Sequence, residues 1–321
     1  MIKITGETPE FKRIITGWHS FDYAFADNLG VGFPLGQLLL VYGPSGSGKT
    51  TTVHAISAML AKETKSNITI AEFERINQDL MIANLSAQGF DGEVNRIMEK
   101  KAEETLKLLL KKVSGKEYSV GIVDSVGSIS VVSEMQGDLG DANIGKTAIV
   151  MGQFARRANN IVLNHDEKTI IIISHEHPRV GSIGTTVSGG VTKNFISTIH
   201  LKIQKLYEKN GKAVFKDGSY VIKGQVTKNR WGVENRVFYL FVLFGTGIHH
   251  GLTAMYDAIK YKQASVERNV VSIGDISYGN IAKIIEKARD GDNEYFAPFY
   301  DVLSKEKDVE IEEEQEEQED E

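Results

Sequence analysis

The segment Gly43-Pro44-Ser45-Gly46-Ser47-Gly48-Lys49-Thr50 most constrains what this chain of 321 residues can fold into. It has the G-x-x-x-x-G-K-T pattern of a phosphate-binding loop. An apolar run at 38–42 precedes it and helix-favouring sequence at 51–61 follows, which is the strand–loop–helix context that the pattern requires. Glycines let backbone N–H groups converge on phosphate oxygens beside a helix N-terminus. We therefore predict that this loop and Thr51 bind a nucleotide; the alternative is a glycine-rich turn without a ligand.

Two side chains of this loop and one distant aspartate predict the cofactors. Lys49 would reach the β- and γ-phosphates of ATP, and the Thr50 hydroxyl would hold Mg²⁺. An apolar strand at 119–125 carries Asp124 at its end, and an aspartate there orients Mg²⁺ directly or through water. ATP and Mg²⁺ are thus the expected cofactors, with Thr50 and Asp124 facing the metal.

A pair of glutamates supplies the candidates for a general base. Glu72 and Glu74 stand two positions apart in a predicted strand at 67–74, so they share one face of it. A carboxylate at the carboxyl end of such a strand can position and polarise the water that attacks the γ-phosphate. Glu74 is nearer the strand end and is the first choice, with Glu72 as the second. The alternative is two solvated carboxylates at a sheet edge.

The order of periodic segments predicts an α/β fold with a mostly parallel sheet between two layers of helices. The predicted strands lie at 38–42, 67–74, 119–125 and 169–174, and the predicted helices at 51–61, 77–88, 94–113 and 144–163. Ligands of such sheets bind at the carboxyl ends of the strands, where Lys49, Glu74, Asp124 and His175 fall.

From residue 198 onward the apolar period changes to two. This change predicts antiparallel strands at 198–207, 218–227 and 236–244. Lys228 and Arg230 follow the second of them and point to the same side of an extended chain, so both could meet one anion. The alternative is a solvated hairpin edge. Beyond 250, three short helical segments and a hairpin predict a small C-terminal domain.

His175 and His177 flank a glutamate just after the strand at 169–174. The spacing allows a metal site, but no further group of ligands with suitable spacing accompanies it. We favour His175 as a polar sensor that hydrogen-bonds the γ-phosphate or its attacking water. The glycine-rich stretch that follows, 180–190, lacks a long apolar run and is predicted to be a loop.

Charge and composition exclude some classes of protein. Residues 306–321 hold 11 acidic residues and one lysine, a charge of −10, so the other 305 residues carry +4 against −6 for the whole chain. We predict a disordered acidic tail that either only solubilises the protein or competes with a polyanion for the basic body. There is no cysteine, so disulfides and thiolate metal sites are excluded. Without a signal sequence or a long apolar run, a cytoplasmic protein is expected.

Several motifs in this order resemble those of the RecA-family recombinases, and among them the phage-encoded, UvsX-like branch. Besides the phosphate-binding loop they are Glu72-Phe73-Glu74, Val123-Asp124-Ser125, the loop and helix start at 134–145, Ser188-Gly189-Gly190 with the following residues to Phe195, Thr227-Lys228-Asn229-Arg230, and Phe244-Gly245-Thr246-Gly247-Ile248. The resemblance covers the chain from about residue 15 to the acidic tail. Lys193 is one position away from the family's usual basic residue.

The resemblance implies a RecA-like ATPase core at 37–250, preceded by a subunit-docking segment at 1–36 and followed by a C-terminal domain at 251–305. It implies a DNA-dependent ATPase that forms a helical filament on single-stranded DNA, binds ATP between subunits, pairs the strand with duplex DNA and exchanges strands. Single-strand-binding and loader proteins are the partners it suggests, in the cytoplasm of a bacterium or of a phage-infected host.

The resemblance also assigns residues. Glu74 takes the place of the catalytic glutamate, and His175 the place where cellular members carry a glutamine. Lys228 and Arg230 take the places of the cations that reach ATP from the adjacent subunit. The DNA-binding loops fall at about 132–143 and 176–190. The residues implied in DNA binding are Met135, Gln136, Gly137, Arg156, Arg179, Gly189, Gly190 and Lys193.

Two other functions are compatible with the same core. One is a hexameric helicase or similar ring motor, and the other is a regulator that binds ATP without hydrolysing it. The shape of the assembly separates the first from a filament, and DNA-stimulated ATP hydrolysis separates the second.

Overall fold

The computed structural model describes residues 12–27, 30–129, 146–178, 185–187, 196–206 and 215–305, of which 177, 178 and 185–187 are described by their backbone alone. The described chain divides into two compact units, residues 1–249 and 250–321. Among the described residues, no helix combines the length and the apolar character that crossing a membrane requires.

One sheet organises the larger unit, and nine of its ten strands in the described part of the chain follow one continuous order. Its parallel part consists of β3 (Leu38–Gly43), β4 (Asn67–Glu72), β5 (Val94–Ile97), β6 (Tyr118–Asp124), β7 (Thr169–Pro178) and β9 (Ile199–Lys205). Along the sheet they are ordered β9-β3-β7-β6-β4-β5. Beyond β9, the strands β10 (Tyr220–Asn229), β11 (Val237–Leu243) and β12 (Gly247–Ile248) are antiparallel. The three strands predicted from residue 198 onward are antiparallel to their neighbours among themselves, but β9 also pairs in parallel with β3, so the change of direction comes one strand later than predicted.

Helices cover both faces of this sheet because the strands are apolar on both. Leu39 and Val41 of β3 face one core with α2 (Lys49–Glu63) and α3 (Gln78–Ser86), whereas Leu38 and Leu40 face the other. The second core contains the apolar sides of α4 (Ala102–Val113) and α5 (Lys146–Asn164). The α/β architecture predicted from the sequence is confirmed.

The N-terminal segment packs on the core of its own chain. β1 (Arg13–Ile14) pairs with β2 (Phe33–Pro34), and α1 (His19–Ala24) lies between them in sequence. Trp18, Phe21 and Phe33 are fully buried in the first core. The predicted role of 1–36 in docking a neighbouring subunit stays a prediction.

Three sequence predictions require correction. Residues 94–97 form the edge strand β5 rather than the start of a helix, and the helix begins at Ala102. β4 ends at Glu72, so Glu74 lies beyond the strand rather than on its face. β7 continues to Pro178 and pairs with β8 (Thr185–Val187), so these parts of the predicted loop at 176–190 are strands.

The smaller unit has its own apolar core. Helices α6 (His250–Lys260), α7 (Ile281–Arg289) and α8 (Ala297–Ser304) accompany the strands β13 (Ser265–Glu267), β14 (Val270–Ile273) and β15 (Ile276–Asn280). The predicted hairpin is therefore part of a three-stranded sheet. Leu252, Ile284 and Phe299 are fully buried in this unit.

Candidate nucleotide-binding site

The phosphate-binding loop joins β3 to α2 as predicted, and two of its glycines are required by space. A Cβ on Gly43 would lie 2.0 Å from the backbone oxygen of Ile203. Gly48 has φ +95°, and its Cβ would lie 2.6 Å from Ile222 Cδ1. A Cβ at Gly43 would meet the backbone of β9 and one at Gly48 the Ile222 side chain of β10, so the loop lies close against both strands.

Most of the residues predicted to bind or hydrolyse the nucleotide line one cavity of about 270 Å³. Its walls come from the phosphate-binding loop and from the carboxyl ends of β4, β6 and β7, which is where ligands bind in parallel sheets. The lining residues are Ser45, Gly46, Ser47, Gly48, Lys49, Thr50, Thr51, Glu74, Asp124, Ile173, His175 and Tyr220. Ile173 and Tyr220 were not among the predicted residues, because apolar and aromatic side chains carry no sequence signal for phosphate chemistry.

Lys49 is held within the loop. Its Nζ donates hydrogen bonds to the carbonyl oxygens of Gly43, at 3.0 Å, and Pro44, at 2.7 Å. Burial lowers the pKa of Lys49, while the charges of Asp124 and Glu74 oppose that change. The ammonium group of Lys49 is therefore hydrogen-bonded to backbone carbonyl groups of the phosphate-binding loop rather than to a carboxylate.

Thr50 and Asp124 meet at the entrance of α2. Thr50 Oγ1 donates to Asp124 Oδ2 at 3.1 Å. Burial raises the pKa of Asp124 to about 6, and the charge of Glu74 adds to this effect, while the Thr50 hydrogen bond and Lys49 oppose it. Nearby positive charge does not fully offset the burial of the Asp124 carboxylate. A hydroxyl beside such a carboxylate suits Mg²⁺, a hard cation that takes oxygen ligands and neutralises negative charge.

No group of three histidine, aspartate or glutamate side chains suited to a metal occurs in the described part of the chain. The alternative of a metal held by His175 and His177 is not tested, because the side chain of His177 lies outside the described part of the chain. Mg²⁺ does not require such a group, since it commonly binds through one or two protein ligands together with phosphates and water.

Glu74 lies at the centre of a hydrogen-bonded group. Its Oε1 accepts from Ser125 Oγ and, at 2.7 Å, from Ser128 Oγ, and His175 Nε2 lies 3.2 Å away. Burial raises the pKa of Glu74, but the hydrogen bonds from Ser125, Ser128 and His175 together outweigh it, so the pKa lies below its usual value. An ionised carboxylate only accepts, so Nε2 is the protonated nitrogen of His175.

The two serines were missed as site residues by the sequence analysis. Ser125 directly follows Asp124 at the end of β6, so its position beside the nucleotide site was the available signal. Ser128 reaches Glu74 because a short 3₁₀ turn, Val126–Ser128, folds the chain back after that strand. Nothing in the sequence marks that turn as part of the site.

Glu72 has a different partner. Arg96 of the neighbouring edge strand β5 donates two hydrogen bonds to it, both of 2.7 Å. The Glu72 side chain is almost fully buried, and it does not line the phosphate cavity. The geometry therefore separates the two glutamates and leaves Glu74 beside the phosphates.

Lys228 and Arg230 lie at the end of the sheet where the parallel strands β3 and β9 start, opposite the end that carries the phosphate-binding loop. Asn229 pairs with Ile199, and Ile199 pairs with Leu39 near the start of β3, whereas the phosphate-binding loop follows the end of that strand. From Leu39 to Gly43 the strand rises roughly 13 Å at about 3.3 Å per residue. Burial, and then the charge of Arg230, lower the pKa of Lys228. Neither cation lines the phosphate cavity of its own chain.

A second cavity of about 310 Å³ adjoins the phosphate site and shares five lining residues with it: Thr50, Thr51, Glu74, Asp124 and Tyr220. Its other walls include Leu80, Val242 and Phe244, and the Phe244 ring is 59% exposed. A mostly apolar cavity with an exposed aromatic ring suits a flat base attached to phosphates in the first cavity.

Of the residues predicted to bind DNA, only Arg156 lies in the described part of the chain. It is exposed on α5, next to Arg157, which is also exposed. Met135, Gln136, Gly137, Arg179, Gly189, Gly190 and Lys193 lie outside the described residues.

Comparison with known proteins decides the family. Residues 2–249 match the sequence model of the RecA N-terminal domain. The chain belongs to the RecA family. A RecA protein of Borrelia turicatae (strain 91E135) is 28% identical over 280 residues, which cover 85% of this chain and 75% of the relative. A RecA protein of Wolinella succinogenes is 27% identical over 286 residues, covering 85% of this chain and 77% of the relative.

A solved structure agrees with the RecA-family fold. The crystal structure of the RadB recombinase aligns with a TM-score of 0.51 at 18% identity, covering 69% of this chain and 93% of that chain. At this identity the likeness concerns the fold alone. Family and fold thus match the resemblance that the sequence motifs carry.

Proposed function

We propose that this protein is a DNA-dependent ATPase that assembles as a filament on single-stranded DNA, pairs the strand with homologous duplex DNA and exchanges strands. Membership of the RecA family supports a role in recombination. One observation carries the ATPase proposal: Lys49, Thr50, Asp124, Glu74 and His175 line a single cavity.

The hydrolytic step follows from the chemistry of these groups. The loop amides and Lys49 bind the phosphates, and Thr50 and Asp124 would hold Mg²⁺, which neutralises charge on the phosphate oxygens. Glu74 accepts a proton from the attacking water at its carboxylate, and its lowered pKa keeps it ionised at neutral pH. His175, bonded to Glu74, is placed to connect the base to the γ-phosphate.

The position of Lys228 and Arg230 supports a site completed by a neighbour. The two cations lie at the end of the sheet where the parallel strands start, away from the phosphate site of their own chain. In a head-to-tail assembly, that end of the sheet in one subunit can face the phosphate-binding loop of the next subunit. A cation supplied in this way stabilises phosphoryl transfer only when subunits are assembled, so hydrolysis becomes dependent on the filament.

Membership of the phage-encoded branch is also part of the proposal. The support is His175 in the place where cellular members, by the resemblance above, carry a glutamine. DNA contacts by the loops near 132–143 and 176–190, and partners of the single-strand-binding and loader type, are proposed on the same basis.

Mixing two inactive variants tests the shared site. Glu74→Gln lacks the base, and Lys228→Ala combined with Arg230→Ala lacks the cations. In an equal mixture on single-stranded DNA, about one interface in four combines an intact base from one subunit with intact cations from the next. We therefore expect the mixture to regain up to about a quarter of the parent's ATP turnover.

No recovery, with both variants still bound to DNA, would contradict the shared site. Electron microscopy of the parent protein with an ATP analogue and DNA gives the assembly. An open helix supports the proposal, and a closed ring supports the ring-motor alternative. A parent protein that binds ATP but does not hydrolyse it, with or without DNA, would support the regulator alternative.

A further inference from the structure

A buried glutamine stands beside the two cations and joins three parts of the chain. Gln37 precedes β3 and is fully buried. Its Oε1 accepts from Trp231 Nε1 at 2.7 Å and from Thr198 Oγ1 at 2.8 Å, while its Nε2 donates to Leu35 O at 2.8 Å. Because an indole N–H can only donate, these contacts determine the orientation of the amide.

The same strand start holds the cations. Lys228 Nζ donates to Ser197 O at 2.7 Å, and the backbone N–H of Arg230 donates to Thr198 O at 3.1 Å. Trp231 then continues from Arg230 and reaches Gln37. Lys228, Arg230 and Trp231 are thus anchored to two adjoining residues, Ser197 and Thr198, partly through Gln37.

The ladder between β9 and β10 is irregular just before the cations and ends between them. Its register shifts between Val226 and Lys228, where the regular pairing is interrupted. Burial lowers the pKa of Lys228, and the neighbouring positive charge of Arg230 lowers it further. Pairing resumes at Lys228 with His200 and ends at Asn229 with Ile199, so Arg230 and Trp231 lie beyond the last pair and depend on contacts outside the ladder.

We infer that Trp231 is a positioning residue: through Gln37 and Thr198 its indole N–H aligns Lys228 and Arg230 for the nucleotide site of the neighbouring subunit. This inference rests on the proposed function, since it concerns the shared site. It names a residue that does not line the phosphate cavity of its own chain. It also links the cations to the start of β9, so a displacement there changes their position.

Trp231→Phe tests the inference because it keeps an aromatic ring and removes only the N–H donor. Losing this partly buried hydrogen bond should lower DNA-stimulated ATP turnover by about 3- to 10-fold. ATP affinity in the absence of DNA should be unchanged, because the phosphate cavity lies at the carboxyl end of β3 and Trp231 lies near the start of that strand. Trp18→Phe is the matched control: it makes the same change in the first core, and DNA-stimulated turnover should stay at the parent's level.

A double variant distinguishes positioning from a general structural effect. If Trp231 acts through Lys228, then adding Trp231→Phe to Lys228→Ala should lower turnover much less than Trp231→Phe does in the parent. Equal factors in both backgrounds would overturn the inference, as would parent-like turnover in the single variant. A parent protein without DNA-stimulated turnover would instead reject the proposed function itself.

Fluorescence provides a measurement that does not alter the cluster. The chain has two tryptophans, so Trp18→Phe leaves Trp231 as the sole emitter. We expect its emission to shift when an ATP analogue and single-stranded DNA assemble the filament, because the indole lies at the proposed subunit contact. Unchanged emission on assembly, confirmed by sedimentation, would overturn the inference.

Discussion

Arg96 donates two hydrogen bonds of 2.7 Å to Glu72, and this pairing distinguishes the two glutamates of the Glu72-Phe73-Glu74 stretch. Both carboxylate oxygens of Glu72 accept hydrogen bonds from Arg96 of the edge strand β5. Glu74, two residues later, accepts hydrogen bonds from groups around the phosphate cavity. Their roles should therefore differ in ways that substitutions can measure.

Glu74→Gln should lower DNA-stimulated ATP turnover by about 10²- to 10⁴-fold, the usual contribution of a general base, while ATP still binds. Glu72→Gln is the matched control and should keep turnover within a few-fold of the parent's, since Glu72 does not line the cavity. Steady-state hydrolysis and nucleotide binding measure both effects. A larger loss of turnover in Glu72→Gln than in Glu74→Gln would reverse the assignment.

Arg96→Met should lower the free energy of unfolding by about 1–3 kcal/mol at neutral pH. The Glu72 side chain is 2% exposed and loses its counter-charge, while the partial exposure of Arg96 moderates the cost. Burial raises the pKa of Glu72, but the hydrogen bonds from Arg96 and from Ile76 N–H more than reverse this. The ion pair between Arg96 and Glu72 therefore stabilises the fold above the ordinary pKa of Glu72, and this stabilisation is lost as the pH falls through the lowered pKa.

Urea denaturation at pH 7 and pH 4 measures this difference. The destabilisation by Arg96→Met should shrink at pH 4, where protonated Glu72 no longer needs a counter-charge. Lys12→Met removes the exposed ion pair with Glu63 and serves as the control, with no measurable change expected. An equal loss at both pH values would show that the lost packing of Arg96, not its charge, matters.

Asp124→Asn should remove a pH dependence of stability in the protein without nucleotide and Mg²⁺. The folded-state pKa of about 6 lies above the ordinary value of 3.8. The folded chain therefore binds this proton more tightly, and the parent's stability from this group falls as the pH rises between about 4 and 6, by roughly 3 kcal/mol. Urea denaturation across that range should show the fall in the parent and not in Asp124→Asn.

Mg²⁺–ATP should reverse that trend, because the proton competes with the cation for the Asp124 carboxylate. The parent's affinity for Mg²⁺–ATP should weaken as the pH drops below about 6, whereas Asp124→Asn should bind weakly throughout. Calorimetric titrations at several pH values measure both. A parent affinity that does not change from pH 5 to pH 7.5 would contradict a role for Asp124 at the metal.

Gly48→Ala should abolish tight ATP binding, whereas Gly46→Ala should weaken it only slightly. Both glycines have positive φ, so alanine costs each about 1 kcal/mol of backbone strain. A Cβ at Gly48 would also collide with Ile222, while nothing lies within 4 Å of one at Gly46. Nucleotide titration measures the contrast, and equal losses would show that strain alone decides.

Deleting residues 306–321 should speed the binding of duplex DNA and alter its salt dependence. The deletion removes a charge of −10 and leaves a body of +4. A competing polyanion is then absent, and counterion release dominates the salt dependence. Association rates at several salt concentrations test this, with a tail of equal length in which glutamine replaces the acidic residues as the control. Unchanged rates would leave only a solubilising role.

The sequence alone was sufficient for the architecture and most of the phosphate cavity. The phosphate-binding loop, the apolar strands and the change of period at 198 are local patterns, and local patterns determine which elements form. Lys49, Thr50, Asp124 and His175 could be placed together because parallel strands bring their carboxyl ends to one edge. The same rule placed Glu74 near them, although β4 ends before it.

Only the tertiary structure decided the pairings between distant segments. Residues 94–97 have helix-compatible spacing, but the open edge of β4 pairs with them as a strand, and this places Arg96 on Glu72. Ser128 reaches Glu74 through a turn, and Trp231 reaches Gln37 across 194 positions of sequence. Such contacts depend on which strands become neighbours, a choice made by the packing of the whole sheet, and no local pattern encodes it.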